Sequence, residues 1–157
     1  MNPQPTIRIA LADDHPVFRD GVRQLLSLEP DMVVVGEASD GEQVIGLLKE
    51  HRPDILLLDL SMPGLDGHTT LARLRTERFN TKIIVLTASE DQNHHVRAVG
   101  YGACAVVLKQ MATDASHQQH PARLQRRDLA RRRDDGRDHE ELRRFKLFGC
   151  LADHLPA

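Results

Sequence analysis

Four short apolar runs, each followed at once by a polar residue that can bind phosphate or metal, constrain this chain most strongly. The runs and their polar ends are residues 7–12 with Asp13 and Asp14, 55–58 with Asp59, 83–86 with Thr87, and 106–108 with Lys109. Continuous apolar runs of this kind are typical of strands that are covered on both faces. If the runs are neighbouring parallel strands, three carboxylates, a hydroxyl and an ammonium group lie together at one edge of a sheet.

The segments between these runs predict a regular alternation of strands and helices. The predicted strands are residues 7–12, 32–35, 55–58, 83–86 and 105–108, and the predicted helices run from Pro16 to before Pro30, from Asp40 to before Pro53, around Leu71 and Leu74, and over 89–99 before Gly100. Asp40 is the expected N-cap of the second helix, with Gln43 at the reciprocal capping-box position. This order predicts an α/β fold with a doubly wound, five-stranded parallel sheet and a site beyond the carboxyl ends of its strands.

The polar residues at the strand ends form the candidate site. Asp59 ends the most apolar run, and its carboxylate could accept a phosphoryl group as a nucleophile. Asp13 and Asp14 would repel each other and Asp59 unless a cation lay between them, and Mg²⁺ takes hard oxygen ligands. Thr87 could donate a hydrogen bond to a phosphoryl oxygen, and Lys109 could pair with its charge. Each residue alone has an ordinary explanation, such as a turn or a helix cap, and their shared position favours a site.

With these motifs, residues 7–111 resemble the receiver domain of a two-component response regulator. The matching segments are residues 9–15 (IALADDH), 54–67 (DILLLDLSMPGLDG), 84–88 (IVLTA) and 107–109 (VLK). The pairing of His15-Pro16 with Lys109-Gln110-Met111 is most similar to the NarL/FixJ (LuxR-type) branch. The resemblance implies a flavodoxin-like strand order, 2-1-3-4-5.

The resemblance implies a signalling switch and not an enzyme. Asp59 would be the phosphorylated aspartate, and a sensor histidine kinase would supply the phosphoryl group. The implied Mg²⁺ ligands are Asp13, Asp14, Asp59 and the backbone carbonyl of Ser61. Thr87 and Lys109 would be the switch and phosphate-binding residues. The expected setting is the cytoplasm, the original output is expected to be transcription regulation, and self-association into a homodimer is left open.

Two positions depart from the family pattern. Val106 stands where many receivers carry an aromatic residue, with Tyr101 in the preceding loop, and Gln110 stands where many carry proline.

Two other functions remain as alternatives. One alternative is a receiver-like interaction module that is never phosphorylated. The other is a phosphatase with an aspartate nucleophile, which usually has an acidic residue two positions later, where this chain has Ser61.

Residues 112–157 are expected to form a separate, non-family tail after a receiver domain at 1–111. Residues 1–110 carry 11 basic and 15 acidic side chains, whereas residues 111–157 carry ten and eight, nine of the ten being arginine. A fifth helix is expected at about 112–125, yet residues 113–121 contain no large apolar side chain. The tail shows no helix-turn-helix pattern, so we do not expect this chain to bind DNA.

Three hypotheses describe this tail: out-of-frame translation after a frameshift, a disordered segment, and a basic appendage. In the appendage, apolar residues spaced three apart between 139 and 151 would form a marginal helix. Resequencing the locus tests the frameshift, because an intact DNA-binding domain in another frame would support it.

The remaining features predict a cytosolic protein without metal-binding cysteines. Cys104 and Cys150 match no metal or redox spacing, and Cys104, among alanines and valines, is expected to be a small buried hydrophobe. No apolar run approaches the roughly 20 residues of a membrane span, and the N-terminus has no signal-peptide pattern. His94 and His95 are expected to be solvated on a polar helix.

Overall fold

The computed structural model describes residues 6–63 and 67–110, in which five strands alternate with four helices. The elements are β1 Ile7–Ala12, α1 Pro16–Ser27, β2 Met32–Ala38, α2 Gly41–His51, β3 Ile55–Asp59, α3 Gly67–Glu77, β4 Lys82–Thr87, α4 Gln92–Gly100 and β5 Ala105–Leu108. All strand pairs are parallel, in the order β2-β1-β3-β4-β5. This confirms the predicted doubly wound, flavodoxin-like α/β sheet, whose strand order reverses between β1 and β3.

The central strand β3 is buried on both faces, which explains why its sequence is continuously apolar. Leu56 and Leu58 pack in one core cluster with apolar residues of α2, α3 and α4. Ile55 and Leu57 point to the other face and pack in a second cluster with α1 residues such as Leu26. Since neighbouring side chains of a strand alternate between faces, both sets must be apolar when both faces are covered.

Strand β2 is longer than the predicted 32–35, because it continues through a bulge. Ile9 pairs with Val34, but Ala10 pairs with Gly36, so one residue of β2 is left without a partner in the register. A Cβ added to Gly36 would lie 2.4 Å from Cδ1 of Leu47 in α2. Glycine at this position therefore lets α2 approach the edge strand closely.

Local side-chain caps set the starts of α2 and α4. The Asp40 carboxylate accepts a hydrogen bond from the Gln43 amide at 2.9 Å, which confirms the predicted cap. The Gln43 side chain accepts a hydrogen bond from the amide of Ser39 at 3.1 Å. The capping box predicts a bond from the next amide, that of Asp40. Helix α4 begins at Gln92 and not near residue 89, because Asp91 caps it.

The prediction for Cys104 was wrong. Its side chain is exposed, and it lies just before β5, an edge strand of the described sheet. Its amide donates to the carbonyl of Ile83 at 2.7 Å, which fixes the backbone without burying the thiol. Gly100 is the last residue of α4 and not its terminator.

Several predictions lie outside the described residues. These are the tail at 112–157 with its fifth helix at about 112–125, and residues 64–66 of the loop before α3. The division of the chain at residue 111 stays a prediction. Over residues 6–63 and 67–110, no helix has the length and apolar character needed to cross a membrane.

Candidate functional site

Strands β1 and β3 bring two buried carboxylates to the same edge of the sheet. Asp13 directly follows β1 and is 1% exposed, and Asp59 is the last residue of β3 and is fully buried. The Asp13 amide donates to the Ala38 carbonyl at 3.0 Å, which ties the end of β1 to β2. Two carboxylates so far from solvent are unfavourable unless positive charge or hydrogen-bond donors lie next to them.

Lys109 supplies positive charge to both carboxylates. It comes directly after β5, and its Nζ lies 2.7 Å from Oδ2 of Asp13 and 2.8 Å from Oδ2 of Asp59. The Lys109 side chain is only 13% exposed, and its ammonium lies 4.9 Å from the ring centroid of Phe18 in α1. The predicted lysine thus reaches the two aspartates from an edge strand, and an aromatic residue that sequence reasoning missed covers it.

The pKa values of this cluster shift in directions that follow from burial and charge. Burial raises the pKa of the Asp59 carboxyl above its ordinary value, with a smaller contribution from the charge of Asp13, while hydrogen bonds from Lys109 and the Ser61 amide oppose the rise. Burial alone would lower the pKa of Lys109, but the two carboxylates outweigh it and raise the pKa. The cluster therefore holds its ammonium firmly and carries one carboxylate that is costly to ionise.

Backbone and side-chain donors also fix the orientation of the aspartates. The Ser61 amide donates to Oδ1 of Asp59 at 2.9 Å. The amide of His15 donates to Oδ1 of Asp13 at 2.8 Å, and Arg19 donates to the Asp13 carbonyl. Neither Asp13 nor Asp14 is the N-cap of α1, because that position is His15.

Thr87 lies at the same sheet edge but outside the ion-paired cluster. It is the last residue of β4 and is 3% exposed. Its Oγ1 accepts a hydrogen bond from the Ser89 amide at 3.1 Å, at the start of the connection to α4. The hydroxyl is therefore in contact with the β4–α4 loop, a link that the sequence did not predict.

The residues of the acidic pocket fit a divalent cation. Ligand atoms of Asp13, Asp14, His15 and Asp59 all lie within 4.8 Å of one another. In the described part of the chain, the buried Oδ1 of Asp14 accepts no hydrogen bond, and its neighbour at 2.9 Å is Nδ1 of His15. Converging carboxylate oxygens of this kind suit a hard cation such as Mg²⁺. The ring of His15 is a part of the pocket that the sequence interpretation did not include, although its place directly after the two aspartates was a signal.

The fold and the pocket together define a flavodoxin-like α/β domain with an acidic pocket at the carboxyl edge of its sheet. The family model for the response regulator receiver domain matches residues 9–119. The chain belongs to this family, as its motifs predicted.

Two NarL proteins are among its similar relatives. The nitrate/nitrite response regulator protein NarL of Escherichia coli K12 is 46% identical over 111 residues, which cover 71% of this chain and 51% of that protein. The signal receiver domain of NarL from Mycobacterium tuberculosis is 39% identical with a TM-score of 0.64, over 67% of this chain and 85% of that one. These similarities support a receiver of the NarL/LuxR type.

A receiver domain whose structure was determined with a phosphate mimic present is also similar to this chain. The isolated receiver domain of RcsB from Salmonella enterica serovar Typhimurium, in the presence of the phosphomimetic BeF₃⁻, has a TM-score of 0.65 at 31% identity, over 73% of this chain and 90% of that one. The chain spans about half the length of the NarL proteins that it matches.

Proposed function

We propose that this chain is a phosphoacceptor switch of a two-component system, phosphorylated on Asp59 by a sensor histidine kinase with Mg²⁺ present. The observation that carries the proposal is the position of Asp59, which is buried at the end of the central strand. The ammonium of Lys109 lies 2.8 Å from Asp59 and also pairs with Asp13. The same ammonium would compensate the negative charge that a phosphoryl group adds at Asp59.

In the proposed reaction, a carboxylate oxygen of Asp59 attacks the phosphorus of a phosphohistidine. The new P–O bond forms as the P–N bond breaks, and the leaving imidazole takes a proton from solvent. Bound Mg²⁺ would neutralise charge on the phosphoryl oxygens. Asp13, Asp14, Asp59 and the Ser61 carbonyl would hold it. The Ser61 amide orients the acceptor carboxylate through its hydrogen bond at 2.9 Å.

The proposed response to phosphorylation runs from Thr87 into α4. Oγ1 of Thr87 accepts from the Ser89 amide, and Oγ of Ser89 accepts from the Asp91 amide at 3.2 Å. Asp91 then caps α4 by accepting from the Asn93 amide at 2.9 Å. If the Thr87 hydroxyl turns towards an added phosphoryl group, it leaves Ser89 and disturbs this chain of hydrogen bonds.

The surface next to α4 could transmit such a change. The exposed apolar side chains there are Val96, Val99 and Tyr101, with 71%, 54% and 36% of their surface accessible. Exposed apolar groups on a helix and its C-cap are suited to a protein contact, such as a second copy of this chain. By similarity to NarL, the original output of this receiver would be transcription regulation in the cytoplasm, reached through a protein contact and not through DNA binding by this chain.

Phosphoryl transfer from a small donor tests the proposal. The full chain is incubated with acetyl phosphate and Mg²⁺, and intact-mass spectrometry should show one added phosphoryl group per molecule. Asp59→Asn should abolish the addition, whereas Asp91→Asn, at a capping position where asparagine also works, should leave it unchanged. Equal labelling of Asp59→Asn, or no labelling of the natural chain, refutes the proposal, and continuous hydrolysis of phosphomonoesters would favour the phosphatase alternative.

A further inference from the structure

An imidazole lies against the carboxylates of the acidic pocket. Nδ1 of His15 is 2.9 Å from Oδ1 of Asp14 and 3.1 Å from Oδ1 of Asp13. With Asp59 included, one ligand atom from each of the four residues lies within 4.8 Å of the others. A cation bound by the three carboxylates would therefore have a nitrogen donor in its immediate surroundings.

The backbone of His15 is hydrogen-bonded to the pocket, and its ring contacts the carboxylates with 63% of the side chain exposed. His15 is the N-cap of α1, with φ −93° and ψ 104°, and its side chain caps no helix amide. N-cap side chains usually accept a hydrogen bond from the first turn, as Asp40 does in α2. The His15 amide instead donates to Asp13 at 2.8 Å, so backbone and ring of one residue both contact the same carboxylate.

Nitrogen and oxygen donors differ in the metals they favour. Mg²⁺ prefers an all-oxygen, octahedral environment and keeps several waters. Imidazole suits first-row transition ions such as Co²⁺, Ni²⁺ and Zn²⁺, whose affinity for mixed nitrogen and oxygen sites also follows the Irving–Williams order. Three carboxylates with one imidazole therefore form a mixed donor set that can discriminate between these classes.

We propose that His15 is a nitrogen ligand of the divalent-cation site and makes it bind first-row transition ions more tightly than Mg²⁺. This inference rests on the cation site of the proposed function and names the residue that determines its metal preference. Asp13, Asp14 and Asp59 supply affinity for either class of ion, whereas His15 contributes affinity to one class only. The site would thus be sensitive to which divalent ions are present.

Co²⁺ binding to the full chain tests the proposal, because its visible d–d absorption reports nitrogen ligation as well as occupancy. The variants are His15→Ala and, as a matched control, His94→Ala, which removes an exposed histidine of α4. Only the part of the Co²⁺ absorption that excess Mg²⁺ displaces is analysed. Co²⁺ held by histidines outside the pocket is not displaced by Mg²⁺, so its absorption drops out of this difference.

His15→Ala should weaken Co²⁺ binding by about tenfold or more and shift the displaceable absorption band, while Mg²⁺ affinity stays unchanged. His94→Ala should match the natural chain. An unchanged Co²⁺ affinity and band in His15→Ala overturns the proposal, and so does an equal loss of Co²⁺ and Mg²⁺ affinity, which would indicate a general effect on the pocket.

The outcome separates this inference from the proposed function. If Asp59 accepts a phosphoryl group with Mg²⁺ but His15→Ala leaves Co²⁺ binding intact, only the ligand assignment fails. If Co²⁺ binding depends on His15 but Asp59 takes no phosphoryl group, the assignment holds and the switch function fails.

Discussion

Replacing Lys109 with methionine should strongly destabilise the metal-free protein. The substitution keeps an unbranched apolar side chain next to Phe18 but leaves Asp13 and Asp59 buried without their ammonium. Removing one partner of a buried ion pair typically costs about 3–5 kcal/mol. Because Lys109 is 13% exposed and some water reaches the site, we expect about 3 kcal/mol at neutral pH.

The measurement is urea unfolding in the presence of a chelator, with Lys49→Met as the matched control. Lys49 pairs with Glu77 at 3.4 Å, but both side chains are more than a third exposed, so this loss should be within about 1 kcal/mol. The double variant Lys109→Met with Asp59→Asn should recover part of the loss, because one uncompensated carboxylate is gone. If Lys109→Met resembles Lys49→Met, or if Asp59→Asn recovers nothing, the account of this ion-paired cluster is wrong.

Two further variants test the titration of Asp59 and the packing of α2 on β2. The pKa of Asp59 is raised in the folded protein, mainly by burial, so its contribution to stability is greatest below the unfolded pKa and is lost as pH rises through the folded value. Asp59→Asn should therefore gain stability relative to the natural chain as urea titrations move from acidic to neutral pH, and a constant difference would contradict this. Gly36→Ala should cost about 1–3 kcal/mol because its Cβ would lie 2.4 Å from Cδ1 of Leu47, and thermal unfolding with no loss would show that the Leu47 side chain can move aside.

The sequence predicted the sheet because its strands are marked by burial on two faces. The continuous run that ends at Asp59 has no amphipathic alternative, and the helices between the runs carry clear start signals such as Pro16 and Asp40. The end of β2 was missed because this edge strand contains Gly36 and Glu37, residue types that are typical of loops. Only their pairing with β1, which the sequence does not reveal, makes them part of the strand. Cys104 was misjudged because apolar neighbours in sequence do not ensure cover in space.

For the candidate site, the sequence predicted which elements meet but not how individual atoms pair. Parallel strands bring Asp13, Asp59 and Lys109 to one edge whatever the rotamers are, so the topology suffices for that conclusion. The hydrogen bond from the Ser89 amide to Thr87 depends on the local loop conformation, which periodicity does not encode. The position of the His15 ring depends on the first turn of α1 in the same way.

The reach of Lys109 across the sheet has a consequence for folding. The lysine follows the last described strand, whereas the carboxylates that it joins lie at the ends of the first and third, so the ion pairs close over nearly the whole domain. Contacts between such distant parts of a chain require most of the loop-closure entropy to be lost first. During synthesis the two aspartates leave the ribosome before their ammonium partner. Completion of the pocket is therefore a late event in folding, and a chain interrupted before β5 would have every acidic residue of the pocket without its positive charge.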